Sequence, residues 1–459
     1  MVKVRLGAVA ESAELDWLIA SHKSSPFLLN FTRNSFRTPR KRGSRLRVIR
    51  GLFPLEARPG LISLLAGKPN ASTFPLTSIQ LKVRSPTDPN EETVTEVSGE
   101  ALAEGLQYGP TAGIPSLIDW VYGLQEQEHG RKTGEGWRVS IGSGSQDVIY
   151  KAVQALFNPG ESVLVESPAY AYVGRIAHLN LVGTSDLKVE TDSHGILSSS
   201  LRSILENWPA GKPKPKALYT VPYGCNPTGM SAILERRKEV LTLAQEHNFL
   251  ILEDDPYYYL YYGKADRAPS YFTLELELPE VGRVLRFDSL SKIISAGIRI
   301  GFLCGPDPLL AAIDMHTAVA SLQTPSLTQT ITFTILNSWG YAGFKTHTER
   351  VSQFYREKRD VFEAAMRHHL DGLAEWDTPE AGMFFWFKLL IESEGEGDSE
   401  SIIRTNAVQR GVLALPGTVF LPSGRKTAYV RASFSLLPAE QVDEALKRLR
   451  AVILEARSG

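Results

Sequence analysis

The sequence predicts an α/β fold: a large domain on a mostly parallel sheet covered by helices on both faces, completed by a smaller α+β domain. Three observations carry this expectation. Short apolar runs alternate with helical periodicities from Trp137 to Phe287, the stretch from Pro325 to Leu370 is helical throughout, and the chain beyond it changes to separate strands closed by an amphipathic helix. At 459 residues and 43% hydrophobic composition, the chain is long enough for so large a core.

Taken in order, residues 1–60 form a basic, partly irregular arm. A short helix fits residues 11 to 22. Between Asp16 and Glu56 no acid occurs while Arg33, Arg37, Arg40, Lys41, Arg42, Arg45, Arg47 and Arg50 crowd together, the pattern of a solvated arm or, alternatively, a targeting or anion-attracting one. The large domain is placed at 61–340. It opens with an apolar strand, Leu61 to Gly67, and a helix from Ser98 to Leu106, and a second helix starts at Pro115-Ser116 and runs to Gln127. Strands follow at 137–141, 162–165, 181–183, 217–221, 249–252 and 284–287, with helices at 145–157, 170–179, 201–207 and 232–247 between them. The long helical stretch breaks near Ser338-Trp-Gly340. The small domain, 341–459 together with part of the N-terminal segment, holds strands at 382–387 and 428–434, an exposed loop at 392–400 and a final helix from Pro438 to Ala456.

Composition narrows the function. A net charge of -1 argues against nucleic acid or anionic membrane as partner, since such binding rests on uncompensated cations. Two cysteines, Cys225 and Cys304, exclude a disulfide framework and a four-cysteine zinc site and fit the reducing cytoplasm. No apolar run approaches the roughly 20 residues that span a bilayer, and no metal site is expected.

Ligands of parallel sheets sit beyond the carboxyl ends of the strands, and the informative motifs all fall there. Asp288-Ser-Leu-Ser-Lys-Ile-Ile-Ser-Ala-Gly-Ile-Arg-Ile-Gly-Phe302 places Lys292 among hydroxyls and apolar residues, with Arg299 seven residues on. A lysine enclosed there loses its proton more easily and becomes a nucleophilic amine. Gly142-Ser-Gly-Ser-Gln146 opens a helix, whose N-terminus attracts a phosphate; Ser289, Ser291 and Arg299 are placed to join the same anion. Tyr223-Gly-Cys-Asn-Pro-Thr-Gly229 is a tight turn offering the Asn226 amide, and Cys225 beside it reads as a small packed residue. In Glu253-Asp-Asp-Pro-Tyr-Tyr258, Asp255 follows a buried strand and suits a cation such as a protonated ring nitrogen, flanked by Glu253 and Asp254.

Ser-Leu-Ser-Lys-Ile-Ile-Ser-Ala-Gly-Ile-Arg-Ile-Gly, Asn-Pro-Thr-Gly, Asp-Asp-Pro-Tyr-Tyr and Gln107-Tyr-Gly-Pro-Thr-Ala-Gly-Ile-Pro115 together resemble the fold type I pyridoxal 5'-phosphate enzymes of the class I aminotransferase group. The resemblance runs from about Ser63 to the C-terminus and is strongest toward the fungal aromatic and the kynurenine/2-aminoadipate aminotransferases. It implies a seven-stranded sheet in the large domain and a set of roles. Lys292 would form the Schiff base with the cofactor and shuttle the substrate proton, Asp255 would pair with the pyridinium nitrogen, and Asn226 and Tyr258 would hold the phenolic oxygen. Tyr170 would stack on the ring, and Ser145, Gln146, Ser289, Ser291 and Arg299 would bind the phosphate.

Arg431, in Val430-Arg-Ala-Ser-Phe434, would grip the substrate carboxylate, and Gly67 would lie in the loop over the substrate. Tyr108 would reach the phosphate of a neighbouring subunit in a homodimer. The implied reaction moves the amino group of an aromatic L-amino acid to 2-oxoglutarate or a similar 2-oxo acid by a ping-pong mechanism. The alternatives are a 2-aminoadipate/kynurenine aminotransferase, a lyase using the same cofactor, and a transcription regulator carrying an aminotransferase-like domain. Ala66-Gly-Lys-Pro69 departs from the Gly-Gly-Leu-Pro loop of many relatives and brings a charge, Lys68, to the substrate entrance. The Met383-Phe-Phe-Trp386 stretch reads equally as core or as ring contacts for the substrate.

Overall fold

The computed structural model describes residues 52, 55, 58–65, 67–158, 160–169, 185–391, 397–421 and 424–458. The expected helices at 11–22 and 170–179, the strand at 181–183, most of the 392–400 loop and Tyr170 lie outside the described residues.

The first regular pair is an antiparallel hairpin, β1 (Ser78–Arg84) on β2 (Glu92–Ser98), which the sequence reading did not anticipate. Its alternation is plain in hindsight, with Ile79, Leu81 and Val83 half-buried and the residues between them exposed. The strand expected at Leu61–Gly67 does not form. Ile62 and Leu64 are 91% and 98% exposed, and an apolar run with no edge to pair against gains nothing from extension. Two helices follow, α1 (Gly99–Leu106) and α2 (Pro115–His129), the second started by a proline at its first position and ended at Gly130 in the left-handed region (φ 65°).

The central sheet contains β3 (Trp137–Gly142), β4 (Ser162–Ser167), β5 (Ser185–Asp192), β6 (Gly195–Ile196), β7 (Ala217–Thr220), β8 (Leu250–Asp254), β9 (Val284–Ser289) and β10 (Gly301–Pro306). Its order is β3-β10-β9-β8-β7-β4-β5-β6. From β9 to β5 the neighbours are parallel, while β10 runs antiparallel to both β3 and β9 and the two-residue β6 runs antiparallel to β5. Setting aside the short β6, the sheet has the expected seven strands, all but β10 pointing the same way. Helices α3 (Ser145–Leu156), α4 (Ser198–Glu206), α5 (Leu234–His247) and α6 (Asp307–Ala320) belong to this part of the chain. Strand β10 and helix α6 were missed because the Gly301–Pro306 run carries two glycines. At Gly305 the strand packs closely on Leu285, whose Cδ2 would lie 2.8 Å from an added Cβ.

Helix α7 (Ser326–Leu370) is broken at Gly340 (φ 62°, ψ -179°), where the sequence placed a break. Beyond it, β11 (Ala374–Trp376), β12 (Phe384–Leu389), β13 (Leu415–Pro416) and β14 (Tyr429–Ser433) make a four-stranded antiparallel sheet in the order β11-β12-β14-β13, and α8 (Ala439–Ser458) closes the chain. The buried apolar residues fall into two clusters. One fills the central sheet and its helices; the other joins Phe362, Met366 and Leu370 of α7 to Phe385 and Phe387 of β12, Val430 of β14 and Leu446 and Leu449 of α8.

Candidate active site

Because six of the sheet's strands run in parallel, their carboxyl ends meet along one edge, and the start of the antiparallel β10 returns to the same edge. Arg299, in the left-handed region (φ 51°), leads into β10 there. Its Nη2 donates to the Ser143 carbonyl at 3.1 Å, and its Nη1 donates to Ser291 Oγ and the Ala296 carbonyl, each at 3.2 Å. Helix α3 begins at the same place with buried Ser145, behind Gly144 at φ 89°, and no side chain caps it. A Cβ on Gly144 would stand 2.4 Å from Arg299 Nη2, so only glycine lets the guanidinium lie against this helix start. An uncapped helix N-terminus, a guanidinium and three seryl groups at one point fit a phosphate dianion. Ser289 Oγ accepts from the Ser291 amide at 3.2 Å, and Gln146 is exposed. Lys292 ends the 3-10 turn Leu290–Lys292 just past β9 and is half-buried, not enclosed between strands as its apolar flanks implied; Ile293 takes the buried place.

A second group assembles where the Asn226 turn meets β12. Gly224 (φ 53°) and Gly229 (φ 68°) lie flat on that strand's entrance: a Cβ on the first would be 2.6 Å from the Ala381 carbonyl carbon, and on the second 2.6 Å from the Phe384 carbonyl oxygen. This close approach brings Asn226 Oδ1 to 2.9 Å from Arg431 Nη1, which donates to it across 205 residues of sequence. The Arg431 guanidinium lies over the Phe384 and Phe420 rings at 4.4 and 5.1 Å, and Tyr257 meets Phe384 edge-on at 6.2 Å. Phe385 and Phe387 point into the second core, while Trp386, on the face of Phe384, stacks on Tyr429 at 5.2 Å and meets Phe420 edge-on. The Met383–Trp386 stretch is therefore both core and site wall, divided by the strand's alternation.

Two of the expected site residues, Asp255 and Tyr258, are engaged in buried contacts away from the Ser289 face. Cross-strand partners share a face and consecutive residues alternate. Glu253 pairs with Arg286 in the sheet and Asp254 with Phe287, so Asp254 shares its face with Phe287 and Ser289. Asp255, expected to meet the ring nitrogen, is turned to the opposite face, where Arg286 Nε donates to it at 2.9 Å and Arg286 Nη1 lies 2.8 Å from Asp288. All three side chains are fully buried. Burial pushes the Asp255 carboxyl well above the usual carboxylate range, and nearby Glu253 adds to this against the pull of Arg286. Breaking such a buried pair on one side costs about 3–5 kcal/mol. Tyr258 likewise faces away, its hydroxyl 3.4 Å from Glu128 Oε2 and its ring 3.6 Å beneath the Arg267 guanidinium. Asp254, by contrast, accepts from the Tyr219 hydroxyl at 2.5 Å on the face of Ser289.

The remaining expectations fall as follows. Tyr108 is 55% exposed, and Gly67 is exposed with open space around it. Cys225 is wholly buried, with its thiol pushed well up by burial and by Glu166. Sequence reasoning missed Glu166, which accepts from the Val221 amide at 2.8 Å and Thr220 Oγ1 at 2.9 Å and so supports the Asn226 turn from below. Burial pushes its carboxyl up to about 7. An acid in the apolar run Val163-Leu-Val-Glu166 was the available signal. Among the described residues no cluster of metal-ligating side chains occurs, and no helix is long and apolar enough to cross a membrane.

The family model for aminotransferase class I and II matches residues 81–449. The chain belongs to this family. It is 42% identical to aminotransferase tdiD of Emericella nidulans over 88% of this chain and 92% of that one. It is 38% identical to the mitochondrial kynurenine/alpha-aminoadipate aminotransferase of Mus musculus (87% and 93%) and 31% identical to an aromatic amino acid aminotransferase of Schizosaccharomyces pombe (86% and 91%). The crystal structure of LysN, an alpha-aminoadipate aminotransferase of Thermus thermophilus complexed with N-(5'-phosphopyridoxyl)-L-leucine, superposes with a TM-score of 0.69 at 30% identity, covering 78% of this chain and 86% of that one. This aminotransferase is thus an enzyme of the fold type I group, and its cofactor is pyridoxal 5'-phosphate.

Proposed function

We propose that this aminotransferase takes the amino group from an aromatic L-amino acid and passes it to 2-oxoglutarate or a similar 2-oxo acid at one shared site. The observation that carries the reading is Arg431: a guanidinium anchored to Asn226 and laid over two phenyl rings, with Tyr257 and Trp386 beside them. A planar fork suits an α-carboxylate, and the surrounding rings suit an aromatic side chain.

When bound, the cofactor supplies an electron sink for a carbanion at the substrate's Cα. Lys292 Nζ would provide the covalent anchor and then move the proton from that carbon. Asp254 would hold the proton of the pyridine nitrogen, while Asn226 and Tyr257 would take the phenolic oxygen, in place of the Asn226 and Tyr258 pair implied by the family resemblance. Ser145, Ser289, Ser291 and Arg299 hold the phosphate, with Gln146 at its rim. Tyr170 is assigned the ring face and Gly67 the loop over the substrate. Residues 61–340 are assigned to the cofactor-binding part and 341–459 to the part that brings Arg431. In the second half-reaction the same residues receive the 2-oxo acid, which makes the kinetics ping-pong.

Lys68, exposed in the 67–70 loop, favours a second reading in which the donor is 2-aminoadipate, whose distal carboxylate it would meet, or kynurenine. A donor screen with 2-oxoglutarate separates the two. Phe, Tyr and Trp are expected to exceed 2-aminoadipate in kcat/KM by about tenfold or more, the scale a pocket built for one side chain achieves. Preference for 2-aminoadipate would overturn the aromatic assignment. Tyr108, exposed on a loop beyond α1, is assigned to the phosphate of a second copy. Sedimentation is expected to return a dimer, and Tyr108→Phe a weaker cofactor affinity with the dimer intact; a monomer with full activity would remove this assignment.

A further inference from the structure

One side chain outside the site is fixed directly to the Lys292 turn. His347, on α7 seven residues past the break at Gly340, places Nε2 at 2.7 Å from the carbonyl of Ile293, the residue that follows Lys292. Its other nitrogen, Nδ1, lies 3.3 Å from Arg350 Nη2. A guanidinium only donates, so Nδ1 accepts, and the ring proton sits on Nε2 and is given to the Ile293 carbonyl. Burial and Arg350 hold the imidazole below its usual pKa, against the opposing effect of the Ile293 carbonyl, which keeps this neutral tautomer in place.

The ring's own position is fixed from two further sides. Trp339 packs on it at 4.7 Å. Arg350 Nη1 donates to the carbonyls of Ser85 and Pro86, at 3.2 and 3.1 Å, in the turn between β1 and β2. A Cβ on Gly343 would come within 3.0 Å of Trp339 Cβ and 3.1 Å of Pro86 Cγ, so the junction is closely packed around this glycine. The carboxyl half of the same helix carries Phe362, Met366 and Leu370 into the second apolar core with Val430 of β14, the strand that holds Arg431.

We propose that His347 is a positioning residue for Lys292, tying the backbone of the lysine turn to the helix that also supports the Arg431 strand. The proposal rests on Lys292 being the cofactor-bearing lysine. Its role is geometric: the Ile293 carbonyl is held so that the preceding residue keeps its Nζ at a fixed height over the phosphate end of the site.

Glutamine and asparagine separate this role from simple packing, because a glutamine amide reproduces Nε2 and an asparagine amide reproduces Nδ1 only. In protein loaded with pyridoxal phosphate, H347N is expected to lower kcat and the rate of borohydride trapping at Lys292, read by peptide mass, each about tenfold, while H347Q stays within about threefold of wild type. KM for the amino donor is expected to move little in either. Should H347N fail to fold, H347F, which keeps the ring against Trp339 but has no donor, is expected to show the same loss. Equal behaviour of the glutamine and asparagine variants, or wild-type trapping in H347N or H347F, overturns the proposal. Absence of trapping at Lys292 in the wild type overturns the functional reading itself, and the proposal with it.

Discussion

Replacing Lys292 with alanine is expected to lower transamination by about ten-thousandfold or more, because it removes both the covalent anchor and the group that moves the Cα proton. The fold should be indifferent to the change. Lys292 is half-buried at the end of a short turn whose backbone bonds, Leu290 to the Ile300 carbonyl and Ile294 to the Leu290 carbonyl, do not involve its side chain. The thermal midpoint of the variant is therefore expected to match that of wild type, and pyridoxal phosphate should still bind through the Ser145, Ser291 and Arg299 cluster, only without a borohydride-stable attachment. Peptide mapping after reduction checks the attachment, and a donor–acceptor assay checks the rate. A variant that retained either the adduct or the rate would place the chemistry on another amine. Adding methylamine or a similar small amine is expected to restore part of the rate in Lys292→Ala, since the missing group is a base of a given size at a given place.

How much of this was legible beforehand follows from which signals are local. The lysine turn, the Asn226 turn, the uncapped start of α3 and the break at Gly340 are written in consecutive residues, through glycines, hydroxyls and apolar flanks, and the structure has the turns and the break where the sequence put them. Strand β10 was lost because its glycines, required by the packing of Leu285 and of the Gly144 turn, erase the usual strand composition. The Arg431–Asn226 contact depends on two elements 205 residues apart, and no spacing rule reaches that far. Facing was the harder problem. Glu253, Asp254 and Asp255 are three adjacent acids, and composition alone gives no means of choosing between them; only the pairing of Glu253 with Arg286 assigns each carboxylate to a side of the sheet. The same one-residue ambiguity holds for Tyr257 and Tyr258, because both follow the same proline and both are nearly fully buried.

That ambiguity can be put to a direct experiment with two isosteric changes. Asp254→Asn is expected to lower kcat by about a hundred- to a thousandfold, the usual effect of removing one preorganised electrostatic partner of the reacting system. The amide still accepts from the Tyr219 hydroxyl now 2.5 Å from the carboxylate, so the fold should survive and the loss should appear in the chemistry. Asp255→Asn, one residue on, is expected to leave kcat within about threefold of wild type, because its carboxyl lies on the far face and contributes no interaction that is stronger in the transition state. An amide oxygen can still accept from Arg286 Nε, and Asp288 remains 2.8 Å from Arg286 Nη1, so the guanidinium is not left without a counter-charge. Its effect should therefore appear in the denaturation midpoint and not in turnover. The visible spectrum gives an independent reading, since a cofactor whose ring nitrogen has lost its carboxylate partner changes its absorbance with pH, and only the Asp254 variant is expected to show that change. The opposite pattern, with Asp255→Asn inactive and Asp254→Asn near wild type, would return the ring nitrogen to Asp255 and require the end of β8 to be turned over relative to β9.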